Sequence, residues 1–232
     1  MDIKVSQIEV KVYLLKDITI QDSLQEISKL IDKGFYLTED YPKFHEKNDF
    51  KNYSFNSLWP IEPSKIYKEG KIYTFIIRTV DENLAMFFEK TLSNLYTESI
   101  KVLTTHKKVL IRKHIDKLYS ITPVIAKFDT GYWRNNTDIS IFEKRLKDNL
   151  IKKYNSYYNT IINEDFDLFN LIAFQNKKPI SSSYKNIHIL GDKISMEICE
   201  NSSAQDLAFF AMGSGLLEMN PRGYGYVNAK WL

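Results

Sequence analysis

Ala211-Met-Gly-Ser-Gly-Leu-Leu-Glu-Met-Asn-Pro-Arg-Gly-Tyr-Gly-Tyr226 is the stretch from which the rest of the chain can be read. The sequence has only 8 Gly, and four of them, Gly213, Gly215, Gly223 and Gly225, fall here. Glycine is favoured where the backbone needs positive φ or must come very close to another group. Upstream, Asn201-Ser-Ser-Ala-Gln-Asp206 reads as a helix start, and Gly213 reads as that helix's stop signal. Downstream, Tyr224 to Trp231 reads as a final strand. A glycine-rich loop between helix and strand can present bare backbone N–H groups to phosphate oxygens, and Arg222 adds positive charge. The plainer alternative is a helix cap followed by an ordinary turn, which would need one glycine rather than four.

The preceding chain supplies the elements that such a helix and strand would complete. Ile8, Val10, Val12 and Leu14 alternate, giving a strand over 5–15. Ile20, Leu24, Ile27 and Ile31 give a helix over 21–33, with Gly34 placed to end it. A strand over 51–59 is broken by Pro60 and Pro63, and 71–80 is a second. Asp81 caps a helix with Leu84, Phe87, Phe88, Leu92 and Leu95 on its apolar face, and a strand over 108–118 follows. That order is β-α-β-β-α-β. The second half reads the same way. A strand over 120–128 precedes a helix opened by the capping box Ser140-x-x-Glu143, with Phe142, Leu146 and Leu150 at four-residue steps. Strands follow at 166–175 and 187–198, the latter turning at Gly191-Asp192, before the helix from Ala204 and the final strand. The expected architecture is α+β, two tandem ferredoxin-like domains at 1–118 and 119–232.

Composition narrows the partners. Net charge is +3, which permits a polyanionic partner without requiring one. With 15 Tyr, 14 Phe and 3 Trp there are aromatics to stack on unpaired bases as well as to fill cores. The single Cys199 excludes an intramolecular disulfide and a multi-cysteine zinc site, and in its apolar strand pattern it reads as an inert buried thiol. No run is apolar enough to span a bilayer and no signal peptide is evident, so the expectation is a cytoplasmic protein without membrane partners.

Gly213-Ser-Gly215, a seven-residue spacer ending in Arg222, and Gly223-Tyr-Gly225 together resemble the C-terminal signature of the CRISPR repeat-processing endoribonucleases. These belong to the repeat-associated RNA-binding proteins built on ferredoxin-like folds. A second segment carries the resemblance: Phe44-His45-Glu46, then Lys51 six residues after the histidine, then the aromatic strand Tyr53-Ser-Phe55. What the resemblance implies is a metal-independent endoribonuclease that cuts CRISPR repeat RNA into guide units, with no cofactor. His45 would be general acid or base, and Lys51 would steady charge on the phosphate. The family's first helix often adds a tyrosine. Here Ser28 stands near that position, a departure for which Tyr36 or Tyr41 could compensate. Other CRISPR-associated proteins in an effector complex, or a second copy of the chain, are further partners it leaves room for.

The residue types suit that chemistry. RNA carries its own nucleophile, the ribose 2′-OH, and attack on the adjacent phosphorus needs a base for the 2′ proton and an acid for the leaving 5′ oxygen. Histidine can serve either role, and a cation stabilises the added charge. The products would be a 2′,3′-cyclic phosphate and a 5′-OH. Lys177, Lys178 and Lys185 join Arg222 as candidate RNA-binding cations, although surface lysines that only solubilise look the same. His114 reads as structural on a strand, His188 as a hairpin-edge residue, and His106-Lys107-Lys108 as a solvated loop. Tyr132-Trp133 could stack on a base or pack between the halves. Two rival readings remain: a non-cleaving RNA-binding subunit of the same fold, and a ferredoxin-like module binding a small phosphate ligand.

Overall fold

The computed structural model describes residues 2–38, 49–184 and 187–232. Its first half runs β1 (Ser6–Leu14), β2 (Ile18–Thr19), α1 (Ser23–Tyr36), β3 (Tyr53–Phe55), β4 (Ile66–Tyr67), β5 (Ile72–Thr79), α2 (Glu82–Leu92) and β6 (Ile100–Val109). The second runs β7 (Ile115–Ser120), α3 (Ile139–Tyr158), β8 (Phe169–Phe174), β9 (Ile180–Tyr184), β10 (Ile187–Gly191), β11 (Ile194–Ile198), α4 (Ser202–Ser214) and β12 (Val227–Trp231). Two four-stranded sheets result, ordered β3-β5-β1-β6 and β12-β7-β11-β8. Every pairing within them is antiparallel. Each sheet has its first strand between its third and fourth, the ferredoxin-like order, and the fold is two such units in tandem.

Alternation decides what each sheet buries. On β1, Ile8, Val10, Val12 and Leu14 point into a core shared with Ile27, Leu30 and Ile31 of α1 and Phe88 of α2. Glu9 and Lys11 face the other way. Asp81 caps α2 as expected, its carboxylate accepting from the N–H groups of Asn83 and Leu84. In the second unit Phe142, Leu146 and Leu150 of α3 pack with Leu207 and Phe210 of α4 over Leu118, Met196 and Ile198.

Several boundaries differ from the sequence reading. Gly34 does not end α1. It lies inside the helix, where a Cβ would come within 3.3 Å of Leu92. The strand expected over 51–59 shrinks to β3, with Trp59 making only a separate pairing to Thr74. Instead of one strand over 108–118 there are two: β6 closes the first sheet and β7 opens the second. Residues 121–128 are not a strand, since Val124, Ile125 and Phe128 make only isolated pairings. Asp138, not Ser140, holds the N-cap position of α3. Gly191-Asp192 is no hairpin turn either, because β10 pairs with β9 in a separate two-stranded arm while β11 enters the main sheet. The final strand begins at Val227 rather than Tyr224.

Gly213 likewise does not stop α4. The helix continues to Ser214, and Gly215 at φ 76° ends it. Gly213 is instead a point of contact between the units. A Cβ there would lie 2.6 Å from Val80 Cγ1 and 3.0 Å from the backbone of Thr79 and Val80. Gly213→Ala should therefore destabilise the protein by about 1–3 kcal/mol, the usual cost of overpacking against backbone. Gly34→Ala, facing only the side-chain ends of Leu92, Leu95 and Thr91, should cost less or stabilise by up to about 1 kcal/mol through helix propensity. Paired urea denaturation curves would check this, and equal losses would contradict the contact.

Candidate active site and nucleic-acid interface

The glycine-rich loop lies in the seam between the two units, largely buried. Gly215, Gly223 and Gly225 all have positive φ, at 76°, 86° and 70°. Each is also where another group comes too close for a side chain. A Cβ on Gly223 would sit 2.6 Å from the Phe55 ring and 2.8 Å from Leu24; one on Gly225 would sit 2.1 Å from the Leu216 carbonyl. The sequence reading expected bare N–H groups at a surface, and the geometry corrects this. The N–H of Gly215 donates to Ala211, Leu216 to Gly225, Glu218 to Ile125, Gly223 to Asn220 and Gly225 to Pro123. The glycines serve close approach and left-handed turns, and those amides are already engaged.

Behind the loop is a residue that sequence reasoning missed. Lys153 of α3 is 3% exposed. Its Nζ donates to Gly215 O at 3.0 Å, Leu217 O at 2.6 Å and Asn220 Oδ1 at 2.6 Å. Burial pushes the amine down to about 7, while the Glu218 carboxylate acts in the opposite direction. Three converging acceptors match the three donors of the ammonium form. The available signal was position, since Lys153 falls three residues after Leu150 on the apolar stripe of Phe142 and Leu146. Asn220 also donates from Nδ2 to Leu216 O and Tyr224 O at 2.8 and 3.0 Å, and it opens a 3-10 turn ending at Arg222.

Arg222 leaves that turn toward the first unit. It is partly buried and donates to Asp32 of α1 at 2.6 Å, with the Tyr184 ring 6.0 Å from its guanidinium. Leu24, Ser28 and Asp32 lie at four-residue spacing on α1. Leu24 borders Gly223 and Asp32 holds Arg222, so Ser28 sits between them on the face that meets the loop. The Ser28 hydroxyl is buried and has no hydrogen-bond partner among the described residues; the same holds for the hydroxyls of Tyr53 and Ser54 on β3. Burial, with the nearby Asp32 charge, raises the Tyr53 phenol well above its ordinary range. Lys51 is half-buried two residues before β3, beside Asn52, whose carbonyl accepts from the Thr79 hydroxyl at 2.7 Å. The structure thus gathers Ser28, Arg222 and the start of β3 on one side of the seam. His45 lies outside the described residues, as does Lys185.

The remaining candidates are dispersed. Lys177 and Lys178 are exposed in the turn between β8 and β9. His106 is on β6, not in a loop; His114 is exposed in the link before β7; His188 is exposed on β10, 3.4 Å from Ser181 Oγ. Cys199 is buried, its thiol 3.2 Å from Asn170 Oδ1, and burial pushes that thiol up. Among the described residues no group of three or more His, Cys, Asp or Glu could hold a metal ion, and no helix is long and apolar enough to cross a membrane. A groove of about 470 Å³ opens where the two sheets diverge. Lys108, Lys113, Arg78, Tyr119 and Trp231 help to line it, and none of its lining residues is acidic. Arg78 is buried there, donating to Gln7 Oε1 and Val227 O, with Tyr226 under its guanidinium. It ties the sheets together, and desolvation lowers its pKa.

Tyr132 and Trp133 are structural. Both donate to the Asp192 carboxylate at 2.8 Å, as does Asn176 at 2.7 Å, and Arg134 pairs with it at 2.7 Å. Trp133 also packs on Phe142 and Phe174. Asp192 is 1% exposed and immediately follows the β9–β10 arm, whose Tyr184 reaches Arg222.

Two ferredoxin-like units in tandem are a fold that this chain shares with solved structures. One solved structure, described as a RAMP protein binding different RNA substrates, superposes with a TM-score of 0.74 at 18% identity, covering 97% of this chain and 99% of that one. No family model matches the sequence. Two curated relatives from Methanocaldococcus jannaschii do. CRISPR-associated endoribonuclease Cas6 2 is 22% identical over 232 residues, covering 89% of this chain and 93% of the relative. CRISPR-associated endoribonuclease Cas6 1 is 26% identical over 203 residues, covering 80% and 76%. Along most of its length the chain is thus similar to CRISPR-associated endoribonucleases.

Asp192→Ala should cost about 3–5 kcal/mol, because it strands the buried Trp133 indole N–H, two further donors and the partly buried Arg134 guanidinium. It should also alter Trp133 fluorescence, since the indole N–H loses its acceptor. Unchanged emission and an unchanged denaturation midpoint would refute the hub.

Proposed function

We propose that this chain cuts CRISPR repeat RNA into guide units without a metal ion, by attack of a ribose 2′-OH on the neighbouring phosphorus. The products are a 2′,3′-cyclic phosphate and a 5′-OH. The observation that carries this reading is the match, along most of both chains, to two curated CRISPR-associated endoribonucleases. The arrangement of the seam supports it.

His45 exchanges the proton, as base for the 2′-OH or acid for the 5′ oxygen. Lys51 and Arg222 face the charge that builds on the phosphate. Asp32 holds Arg222 on the α1 side of the seam, next to Ser28. Ser28, whose hydroxyl has no partner among the described residues, completes the set in place of a tyrosine. Nucleotides away from the cut run along the groove past Lys108 and Lys113, where Tyr119 and Trp231 offer faces for bases. Lys177, Lys178 and Lys185 add phosphate contacts, and other CRISPR-associated proteins receive the product.

The test is incubation of the purified protein with labelled repeat RNA in EDTA, beside His45→Ala. A single cut ending in a cyclic phosphate is expected, with cleavage falling about 10²–10⁴-fold in the variant, the usual loss for a general acid or base. RNA affinity should persist and weaken with salt, with a log–log slope near −0.7 per phosphate contacted. A cut that needs Mg²⁺ would sink the metal-free mechanism, and a cut undiminished in His45→Ala would move the chemistry elsewhere. Binding without any cut would favour a non-cleaving subunit.

A further inference from the structure

The glycine-rich loop is built around a cation of the protein's own. Leu217 and Met219 have φ of 53° and 62°, a left-handed conformation that ordinary side chains rarely adopt. With Gly215 they make every second residue left-handed from 215 to 219. The carbonyls of Gly215 and Leu217 and the side-chain oxygen of Asn220 all end on Lys153 Nζ. The loop's inner face is therefore a ring of oxygens filled by an ammonium, unsuited to a phosphate. Its contribution to anion binding falls to what the far end of the loop presents, which is Arg222. Between the two runs a short path: Lys153 to Asn220, Asn220 through its amide to Leu216 and Tyr224, then the turn from Asn220 to Arg222 and the contact with Asp32.

We propose that Lys153 is a positioning residue for RNA binding, which by shaping the loop from inside fixes the direction in which Arg222 leaves it. The proposal rests on the reading of Arg222 as a phosphate contact.

A double-mutant cycle tests it. Binding of labelled repeat RNA is measured for wild type, Lys153→Met, Arg222→Ala and the double variant, with amide hydrogen exchange of residues 215–225 followed in parallel. Methionine keeps length and apolar bulk but removes the ammonium. If Lys153 acts through Arg222, each single change weakens binding about 10-fold and the double change no more than about 2-fold further, the signature of coupled sites. Lys153→Met also speeds exchange across the loop. Additive losses, or a folded Lys153→Met that binds like wild type, overturn the proposal. Should Lys153→Met not fold, the cycle is repeated with Lys153→Gln, whose amide still donates two hydrogen bonds. If neither folds, Lys153 serves the core alone and the proposal fails. If wild type itself shows no salt-dependent RNA binding, the functional reading falls separately. Loop exchange then decides the internal role, and unchanged exchange in Lys153→Met rejects that as well.

Discussion

Two ferredoxin-like units share a seam whose close contacts leave no space for a Cβ. Gly213 lies against the backbone that ends β5, Gly215 against Ser54 of β3, and Gly223 against Phe55 and Leu24. Side chains at these positions would push α4 and its following loop away from the first sheet. The buried contacts that now cross the seam, such as Tyr224 among the first unit's core residues, would loosen. A close-packed interior has low compressibility and would transmit such a displacement rather than absorb it. The glycines are thus as much a condition of the domain arrangement as of the loop.

Once the backbones meet, polar groups must be satisfied where water is excluded. The protein does this with buried charges on both sides. Lys153 takes three oxygens of the loop, Arg78 takes Gln7 and the Val227 carbonyl across the sheets, and Asp192 takes four donors under the β9–β10 arm. Removing one member of such a set is costly because its partners stay buried. These three residues therefore fix orientation more than they add net stability. They set, in turn, the loop, the angle between sheets and the arm that carries Tyr184 to Arg222.

The order of elements was legible because each apolar face has a clear period. β1, β5, α2 and α3 announce themselves in Ile8 to Leu14, Ile72 to Ile77, Leu84 to Leu92 and Phe142 to Leu150. β6 was not legible. Its run Thr104-Thr-His-Lys-Lys108 is an edge strand whose polar face meets solvent and whose Lys107 bonds Glu82, so it reads as a loop. Missing it displaced the next two strands. At the site, three of the four glycines fall in the loop and Gly213 inside α4, and none revealed the loop's chemistry, because a sequence does not say whether an N–H is already engaged. Ser28 and Arg222 were found separately, and only the fold places them on one seam. Lys153 was hidden by its type, since lysine is assumed to be solvated until a core shows otherwise.

Net charge says little here about affinity for a polyanion. At +3 the chain is only weakly basic, but its charges are not evenly mixed. Many acids are bound to specific cations: Asp32 to Arg222, Glu82 to Lys107, Asp192 to Arg134, Glu218 to Arg145 and Asp206 to Arg112. The groove between the sheets has cations and aromatic rings with no acid among its lining residues. A backbone phosphate senses the charges within about a Debye length, roughly 8 Å at physiological salt, and not the sum over the molecule. Local positive potential can thus be high where the total is small. Arg222 differs from the groove lysines because its charge is partly answered by Asp32. A phosphate arriving there would have to share or replace that carboxylate, so under the proposed function a contact at Arg222 would add geometric selectivity where Lys108 and Lys113 would add attraction.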